Sequence, residues 1–262
     1  MQAATRHKTL ILIPAFNEQD HIAGVVRQVR DVDKDLDILI VDDGSKDKTA
    51  DLSRHSGAKL IRLSSHMGYG VALQTGYKYA FENGYDFLVQ LDGDGQHDPA
   101  DIPRLLEVVV SGEAELALGS RFMQNAPGAD SCRKRYRPNI SRKLGTRVFA
   151  LLTTLLLGFK ITDPTSGYQV FGRRVIGFFV RDFFPCDYPD ADIIIMAHRA
   201  GFTIKEIPIV AYKRNDGKSM HRGLKPVYYT FKMFLSIFMT MIRRKPRFLR
   251  MQKAFERQFP ES

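Results

Sequence analysis

The sequence predicts an α/β fold built on a mostly parallel, doubly wound sheet. Short apolar runs rich in β-branched residues alternate with segments of helical spacing through the first half of the chain. Several of these runs end in Pro, Asn, Asp or Gly, as strands of an open sheet do where they reach its ligand-binding edge. The chain has 262 residues, of which 44% are hydrophobic, so it can build a proper core and is globular.

The elements alternate in chain order. Apolar runs predict strands at residues 9–13, 37–41, 59–63, 87–91 and 115–119. Apolar residues at intervals of three and four predict helices at 18–30, 46–55, 69–83 and 100–110. Gly84 follows the third helix as its C-cap. Right-handed crossovers would bring the loops after the first, second and fourth strands to one edge of the sheet.

The fourth predicted strand leads into DGDGQHD at 92–98, which carries the strongest chemical signal. Asp92 and Asp94 lie two residues apart, so on an extended backbone both carboxylates can converge on one point. Gly93 and Gly95 let the backbone approach a bound group closely. Carboxylate oxygens suit Mg²⁺ or Mn²⁺, with a diphosphate supplying further oxygens. The alternative is a solvated turn, because Asp and Gly are common turn residues.

The end of the second strand carries two acidic residues, Asp42 and Asp43, which indicate a nucleotide site. A carboxylate at this position can accept hydrogen bonds from a base or a ribose. The amides of Gly68-Tyr69-Gly70 could face a phosphate, although a structural turn explains the same residues. The sequence contains neither GxGxxG after the first strand nor GxxxxGK[ST], which argues against dinucleotide binding and P-loop chemistry.

The net charge of +10 is unevenly distributed along the chain. Residues 1–130 hold 13 Lys and Arg against 20 Asp and Glu, whereas residues 131–147 hold seven basic residues and no acidic one. Residues 213–262 hold 13 basic residues against three acidic ones. This asymmetry favours an anionic partner, such as phosphates or a membrane surface, and a solvated basic tail is the alternative. Nucleic acid is not a predicted partner, because no recognition motif accompanies the charge.

Apolar segments bear on the relation to membranes. The sequence has no run of about 18 apolar residues and no apolar signal core in residues 1–8, so neither a span nor a secretory signal is predicted. Segments 146–158 and 227–242 are apolar but too short and interrupted to span. Basic residues at 243–247 follow the second segment, which favours an anionic membrane interface over core packing. For 146–158 core packing and interface both stay open.

Four motifs, in this order and spacing, resemble those of the inverting glycosyltransferases of family 2 with a GT-A fold. They are PAFNE at 14–18, VDDGS at 41–45 with Thr49, HMGYG at 66–70, and DGDGQH at 92–97, which resembles the family's metal-binding DxD. GSRF at 119–122, DPTSGY at 163–168 and RNDGKS at 214–219 resemble the polyprenyl-phosphate (dolichol-phosphate) mannosyltransferase-like branch. The resemblance extends from Leu10 to Met220. We therefore expect a GT-A catalytic domain over 1–220 and a basic, amphipathic helical extension over 221–262.

The resemblance also implies roles for individual residues. The nucleotide pocket would be formed by Pro14, Ala15, Phe16, Glu18, Asp42, Asp43 and Gly68, with Asp42 holding the base. Mg²⁺ or Mn²⁺ would be bound by Asp92, Asp94 and Gln96. The catalytic residues would be Asp92, Asp94, Arg121 and Asp163. The acceptor phosphate would be held by Arg121, Arg137, Ser141, Arg214, Lys218 and Ser219.

Two positions depart from the family pattern. His66 stands where the family usually has Asn. The segment 188–192, YPDAD, replaces a motif usually built on Glu, with Asp190 and Asp192 as the candidate substitutes.

The implied activity is metal-dependent transfer of mannose or glucose from a GDP- or UDP-sugar to polyprenyl or dolichyl phosphate, with inversion. A phosphate monoester is largely dianionic at pH 7, so this acceptor needs positive charge and no strong general base. A soluble relative with a hydroxyl acceptor would need a carboxylate base, and Asp163 or Asp190 could serve. A nucleotide-sugar-binding protein without turnover is the non-enzymatic alternative. We expect a peripheral position on the cytoplasmic face of a membrane, and the need for a membrane-anchoring partner protein stays open.

Overall fold

The computed structural model of the chain describes residues 7–123, 140–181, 184–185, 189–213 and 225–242, except for the side chains of 140–144 and 225–230. Its strands are β1 (Thr9–Ala15), β2 (Asp37–Asp42), β3 (Lys59–Arg62), β4 (Phe87–Gln90), β5 (Leu116–Ser120), β6 (Gln169–Gly172) and β7 (Ile204–Pro208). They form one seven-stranded sheet in the order β3-β2-β1-β4-β6-β5-β7. The five predicted strands are all present at their predicted places.

The helices connect these strands and cover both faces of the sheet. They are α1 (Ile22–Val32), α2 (Thr49–His55), α3 (Tyr69–Glu82), α4 (Ile102–Val110), α5 (Ile140–Leu157), α6 (Arg173–Phe179), α7 (Ala191–Arg199) and α8 (Lys225–Ile242). Side chains of α1 and α4 pack on one face, and those of α3, α6 and α7 pack on the other. The doubly wound arrangement is therefore confirmed.

The central strand β1 shows why the sheet needs two helical layers. Leu10 and Leu12 join the core cluster on one face, while Ile11 and Ile13 join the cluster on the opposite face. All four side chains are fully buried. A strand buried on both faces reads as a continuous apolar run, because successive side chains point to opposite sides.

One strand of the sheet runs against the others. β6 lies between β4 and β5 and pairs antiparallel with both, whereas every other pair of neighbouring strands is parallel. Neither β6 nor β7 was among the strands predicted from the sequence. β6 has only four residues and follows a motif rich in turn formers, so local pattern does not single it out. Its register sets Gln169 opposite Gln90 and so brings the preceding residues to the end of β4.

Helix starts differ from the predicted ones by a few residues. The first helix was expected from residue 18, but Glu18 lies in a turn, where its carbonyl oxygen accepts hydrogen bonds from the amides of His21 and Ile22. A short 3-10 turn, Pro99–Asp101, precedes α4, and the Asp98 carboxylate accepts a hydrogen bond from the Ala100 amide at 3.0 Å. Gly84 follows α3 with a φ of 71°, as expected of a C-cap glycine.

The apolar segments 146–158 and 227–242 lie in α5 and α8, and each helix is half in the core. Phe149 and Leu157 of α5 and Met233 and Ile237 of α8 are buried with the α7 side chains. The aromatic rings of Phe149 and Phe234 lie 5.1 Å apart, so the two helices are neighbours. Both helices also expose large apolar side chains on their outer faces. Among the helices in the described part of the chain, none has the length and apolarity that a bilayer crossing requires.

Candidate functional site

The carboxyl ends of β1, β2 and β4 meet at one edge of the sheet, as the sequence predicted. The register pairs Ala15 with Asp42, and the Asp43 amide donates to the Ala15 carbonyl at 2.9 Å. On the other side of β1, the Leu91 amide donates to the Leu12 carbonyl at 3.1 Å. The loops after these three strands therefore start side by side.

The first two loops are tied together by side-chain hydrogen bonds. The Asn17 amide donates to Ser45 Oγ at 2.9 Å, and the Glu18 amide donates to Thr49 Oγ1 at 2.8 Å. Asn17 itself has a φ of 55°, which a non-glycine residue seldom adopts. The predicted pocket residues Pro14 and Ala15 end β1 directly before this turn and are buried. This turn fixes where Phe16 and Glu18 emerge from the sheet.

Asp42, the predicted base-binding residue, is fully buried at the end of β2. Its Oδ1 accepts a hydrogen bond from the Ser45 amide at 3.2 Å. Its Oδ2 lies 3.2 Å from Arg62 Nε as an ion pair, but has no hydrogen bond of good geometry to any residue in the described part of the chain. A buried carboxylate oxygen in this state can accept a hydrogen bond from a ligand.

Asp43 organises the third loop. Its carboxylate accepts hydrogen bonds from His66 Nδ1 at 2.7 Å, from the Met67 amide at 2.7 Å and from the Gly68 amide at 3.0 Å. Gly68 has a φ of 107°, which only glycine adopts without strain, and it stands directly before α3. His66, the departure from the family pattern, also stacks on Phe16 with ring centroids 4.0 Å apart.

Asp92 follows β4 and is held from several sides. Tyr69 Oη, from the first turn of α3, donates to Asp92 Oδ1 at 2.8 Å. A Cβ on Gly167 would lie 2.7 Å from Asp92 Oδ2, so the bare backbone of the β6 loop contacts the carboxylate. Burial raises the pKa of Asp92, while the Tyr69 hydrogen bond and the Arg121 charge act in the opposite direction. The side chain nevertheless keeps 32% of its surface exposed.

Asp94 and Gln96 continue the same loop. The Gln96 amide donates to Asp94 Oδ1 at 3.0 Å, and Gly95 between them has a φ of 71°. The Gln96 carbonyl accepts a hydrogen bond from the Tyr212 amide at 2.7 Å, which attaches the loop to the segment after β7. Asp92, Asp94 and Gln96 all remain partly exposed at the same edge of the sheet.

His97 belongs to the site, although the sequence analysis did not include it among the site residues. It is 3% exposed, and its Nδ1 lies 3.5 Å from the Asp92 amide and 3.8 Å from Asp92 Oδ2. Burial is the main cause that lowers the pKa of His97 to about 4. The charges of Asp94 and Asp163 raise this pKa, and the charge of Arg121 lowers it. The ring is therefore neutral at pH 7 and supports the loop as a packed, uncharged group. A single His gives no sequence signal for this role.

Arg121 and Asp163 form a buried ion pair. Arg121 Nε and Nη2 donate to the two oxygens of Asp163 at 2.6 and 2.8 Å, and Nη2 also reaches the Thr165 carbonyl at 3.1 Å. Asp163 is fully buried, and the Arg121 side chain is 14% exposed. Their spacing of 42 residues hides this pairing from sequence inspection. The geometry makes Asp163 the residue that orients Arg121 beside the 163–168 loop.

Asp190 and Asp192, at the start of α7, differ in their surroundings. Asp192 is buried, and its Oδ1 accepts hydrogen bonds at 2.9 Å from the amides of both Asp190 and Ile193. Its Oδ2 accepts a short hydrogen bond from Ser236 of α8. Asp190 is partly exposed. Burial and Asp92 are the largest causes that raise the pKa of Tyr69, and the charge of Asp190 raises this pKa further. Asp192 therefore joins two helices, whereas the charge of Asp190 acts on Tyr69.

Several predicted acceptor residues lie outside the described residues. These are Arg137, Arg214, Lys218 and Ser219, and for Ser141 the structure describes only the backbone, in the first turn of α5.

Comparison with known proteins agrees with this arrangement. The chain matches the family model described as glycosyl transferase family 2 over residues 10–177. A Micrococcus luteus protein described as undecaprenyl-phosphate mannosyltransferase is 31% identical over 223 residues, which are 82% of this chain and 88% of that protein. A Mycolicibacterium smegmatis protein described as polyprenol monophosphomannose synthase is 31% identical over 226 residues, 82% of each chain.

Among solved structures, the chain is similar to glucosyl-3-phosphoglycerate synthase from Mycobacterium tuberculosis in complex with Mn²⁺ and uridine-diphosphate-glucose. The TM-score is 0.66 at 19% identity, over 90% of this chain and 79% of that one, and at this identity the similarity concerns the fold. The expected GT-A fold is thereby confirmed. The polar loops of the chain gather at one edge of such a sheet, and the family match covers these loops up to the 163–168 motif. The chain is therefore a glycosyltransferase that belongs to glycosyl transferase family 2.

Proposed function

We propose that this protein transfers a hexose, mannose or glucose, from a GDP- or UDP-sugar to polyprenyl phosphate, with inversion and with Mg²⁺ or Mn²⁺. The observation that carries the proposal is the position of the Asp92–Asp94 loop beside the Asp42 pocket. A nucleotide bound at Asp42 would have its diphosphate within reach of that loop. The mannosyltransferase descriptions of two relatives support mannose and a polyprenyl acceptor.

The donor set fits a small divalent cation. Asp92 and Asp94 offer carboxylate oxygens, and Gln96 offers an amide oxygen, which are the ligands that Mg²⁺ and Mn²⁺ prefer. No group of three His, Cys, Asp or Glu residues suited to a metal occurs among the residues that the structure describes. Two carboxylates leave coordination positions for diphosphate oxygens, which is how Mg²⁺ is usually held with nucleotides. When bound, the cation supplies Lewis-acid neutralisation of the leaving diphosphate.

Side chains and amides of the protein would bind the nucleotide and the acceptor phosphate. Asp42 holds the base through its buried Oδ2, and Asp43 keeps Gly68 at the start of α3, where helix amides favour a phosphate. The dianionic acceptor phosphate attacks the sugar without a general base. It is held by Arg137 and Ser141, and by Arg214, Lys218 and Ser219, in basic segments of the sequence.

Membrane contact is proposed through the outer faces of α5 and α8. Exposed apolar side chains gather on these two neighbouring helices, with exposed fractions of 63% for Leu151, 72% for Leu155, 66% for Phe231 and 58% for Phe238. The basic residues at 243–247 follow α8 in the sequence. An apolar face beside basic residues is the pattern of a helix in an anionic membrane interface. We therefore propose a peripheral position on the cytoplasmic face of a membrane.

One observation favours a second candidate function, transfer to a hydroxyl acceptor. Asp190 is partly exposed and its charge acts on Tyr69, and a carboxylate near the site could accept a hydroxyl proton. The structurally similar glucosyl-3-phosphoglycerate synthase has been crystallised with phosphoglyceric acid. In this alternative Asp190→Asn would abolish transfer, whereas transfer to a lipid phosphate would survive the change.

The experiment is a product assay with GDP-mannose or UDP-glucose as donor and polyprenyl phosphate or a free saccharide as acceptor. We expect Mn²⁺-dependent transfer to the lipid phosphate. The variant Asp94→Asn should lose it while keeping the wild-type melting temperature. Transfer only to the saccharide would establish the second function. Full activity of Asp94→Asn in the presence of EDTA would refute the metal site.

A further inference from the structure

A chain of buried side-chain hydrogen bonds leads from the core to Asp92. Tyr77 Oη, fully buried on α3, donates to Gln90 Oε1 at 2.5 Å. Gln90, the last residue of β4, donates through Nε2 to the Gly167 carbonyl at 3.1 Å and lies 3.4 Å from Tyr69 Oη. Tyr69 Oη then donates to Asp92 Oδ1 at 2.8 Å. Each donor in this chain has a named acceptor, so the Tyr69 hydroxyl has a defined direction.

The direction of that last hydrogen bond matters for Asp92. A carboxylate has two oxygens, and a cation can be bound by one of them or by both. Tyrosine has an ordinary pKa of about 10, so the Tyr69 hydroxyl carries its proton at neutral pH and donates it to Asp92 Oδ1 at 2.8 Å. The phenol therefore acts as a donor and occupies Oδ1. Binding of one cation by both Asp92 oxygens would compete with this hydrogen bond for Oδ1.

Gly167 restricts the carboxylate from a second side. The ideal Cβ position on Gly167 lies 2.7 Å from Oδ2 and 3.1 Å from Cγ of Asp92. The Gly167 carbonyl is in turn fixed by Gln90, which also approaches Tyr69. The Gln90 amide thus aligns both the Gly167 carbonyl and the Tyr69 hydroxyl beside the Asp92 carboxylate.

We propose that Tyr69 is a positioning residue, which holds Asp92 so that only one of its oxygens is available to a cation. The inference rests on the proposed metal site and deepens it. A one-oxygen carboxylate suits a small cation with strict octahedral geometry, such as Mg²⁺ or Mn²⁺. Larger Ca²⁺ accepts two-oxygen carboxylates and irregular geometry, so Tyr69 disfavours it. Specificity for the cation is then set partly by a residue that does not bind it.

The test compares Tyr69→Phe with the wild-type protein by electron paramagnetic resonance titration of Mn²⁺, in the presence of UDP and separately of GDP. Loss of a hydrogen bond to a metal-binding side chain typically weakens metal affinity by about 10-fold to 100-fold. We expect the Kd for Mn²⁺ to rise at least about 10-fold. The Kd for Ca²⁺, measured by competition with Mn²⁺, should rise less. The preference of the site for Mn²⁺ over Ca²⁺, expressed as the ratio of the two Kd values, should therefore become smaller.

Two controls separate the possible outcomes. Tyr79→Phe makes the same change further along α3, where Tyr79 packs against Tyr85, and it should leave both Kd values unchanged. Asp94→Asn reports on the metal site itself. If Asp94→Asn loses Mn²⁺ but Tyr69→Phe keeps the wild-type Kd, the positioning role is refuted and the metal site stands. If Asp94→Asn binds Mn²⁺ as the wild type does, the metal site and the inference both fail. A lower melting temperature of Tyr69→Phe with unchanged Kd values would mean that Tyr69 is only structural.

Discussion

Gly167 is the closest restriction on Asp92, so Gly167→Ala is a sharp perturbation of the proposed metal site. The new Cβ would lie 2.7 Å from Oδ2 and 2.9 Å from Oδ1 of Asp92, well inside normal contact distance. Gly167 is not among the glycines with positive φ, so its backbone accepts alanine. The strain is therefore directed at the carboxylate, which must move away.

The expected loss is larger for activity than for stability. The Asp92 side chain is 32% exposed and can swing outward, so we expect unfolding free energy to fall by only about 1 kcal/mol, the lower end for overpacking. The same movement breaks the 2.8 Å hydrogen bond from Tyr69. A displacement of about 1 Å in a catalytic constellation costs about 100-fold in rate. That factor corresponds to about 2.7 kcal/mol of lost transition-state stabilisation.

The assay measures kcat/KM for transfer to polyprenyl phosphate and the free energy of unfolding in denaturant. Gly24→Ala is the matched control, because Gly24 is exposed on α1 and its added Cβ would meet no atom within 4 Å. Alanine inside a helix should stabilise this control by about 0.5–1 kcal/mol without changing the rate. A folded Gly167→Ala protein with wild-type kcat/KM would refute the assignment of Asp92 to the reaction.

Three other changes probe the buried pair, the helix junction and the membrane face. Asp163→Asn removes the carboxylate charge that pairs with Arg121 in a buried position, and it should destabilise the fold by about 3 kcal/mol in denaturant unfolding. Asp51→Asn, which removes a charge from an exposed pair, should cost under about 1 kcal/mol. Burial raises the pKa of Asp192 above 3.8, so the folded chain holds this proton to a higher pH than the unfolded chain does. The wild type should therefore lose stability relative to Asp192→Asn as the pH rises above the ordinary Asp pKa of about 4, and equal slopes would contradict this. Phe238→Ser should weaken binding to anionic vesicles about 10-fold or more, since burying a Phe side chain contributes about 1.5–3 kcal/mol. The control Val110→Ser, at an exposed position of α4, should leave vesicle binding unchanged. Equal loss in both variants would remove α8 from the membrane contact.

The vesicle test uses point substitutions because the structure makes truncation uninformative. Met233 and Ile237 of α8 are buried against the domain, and Ser236 donates to the buried Asp192. Removing residues 221–262 would therefore expose the core and damage the junction with α7. The predicted boundary at residue 220 stays a prediction based on the change in sequence composition. In the structure, α8 packs into the same core as the sheet.

Much of the fold and part of the site followed from the sequence by itself. Strands such as β1 are buried on both faces, so their apolar runs identify them locally, and helical spacing identifies α1 and α3. The order of these elements is enough to bring the loops after β1, β2 and β4 together. The sequence also indicated the candidate metal site, because Asp92 and Asp94 lie two residues apart in one of those loops.

Only the tertiary structure decided which groups hold these residues in place. The contact of Tyr69 with Asp92, of Gly167 with Asp92 and of Arg121 with Asp163 joins segments 23, 75 and 42 residues apart in the sequence. Such pairings depend on β6 entering the sheet antiparallel beside β4 and on side chains of α3 reaching the residues at the end of β4. The energy that selects them comes from burial and hydrogen bonding of the assembled domain, so no local pattern of residue types carries the information.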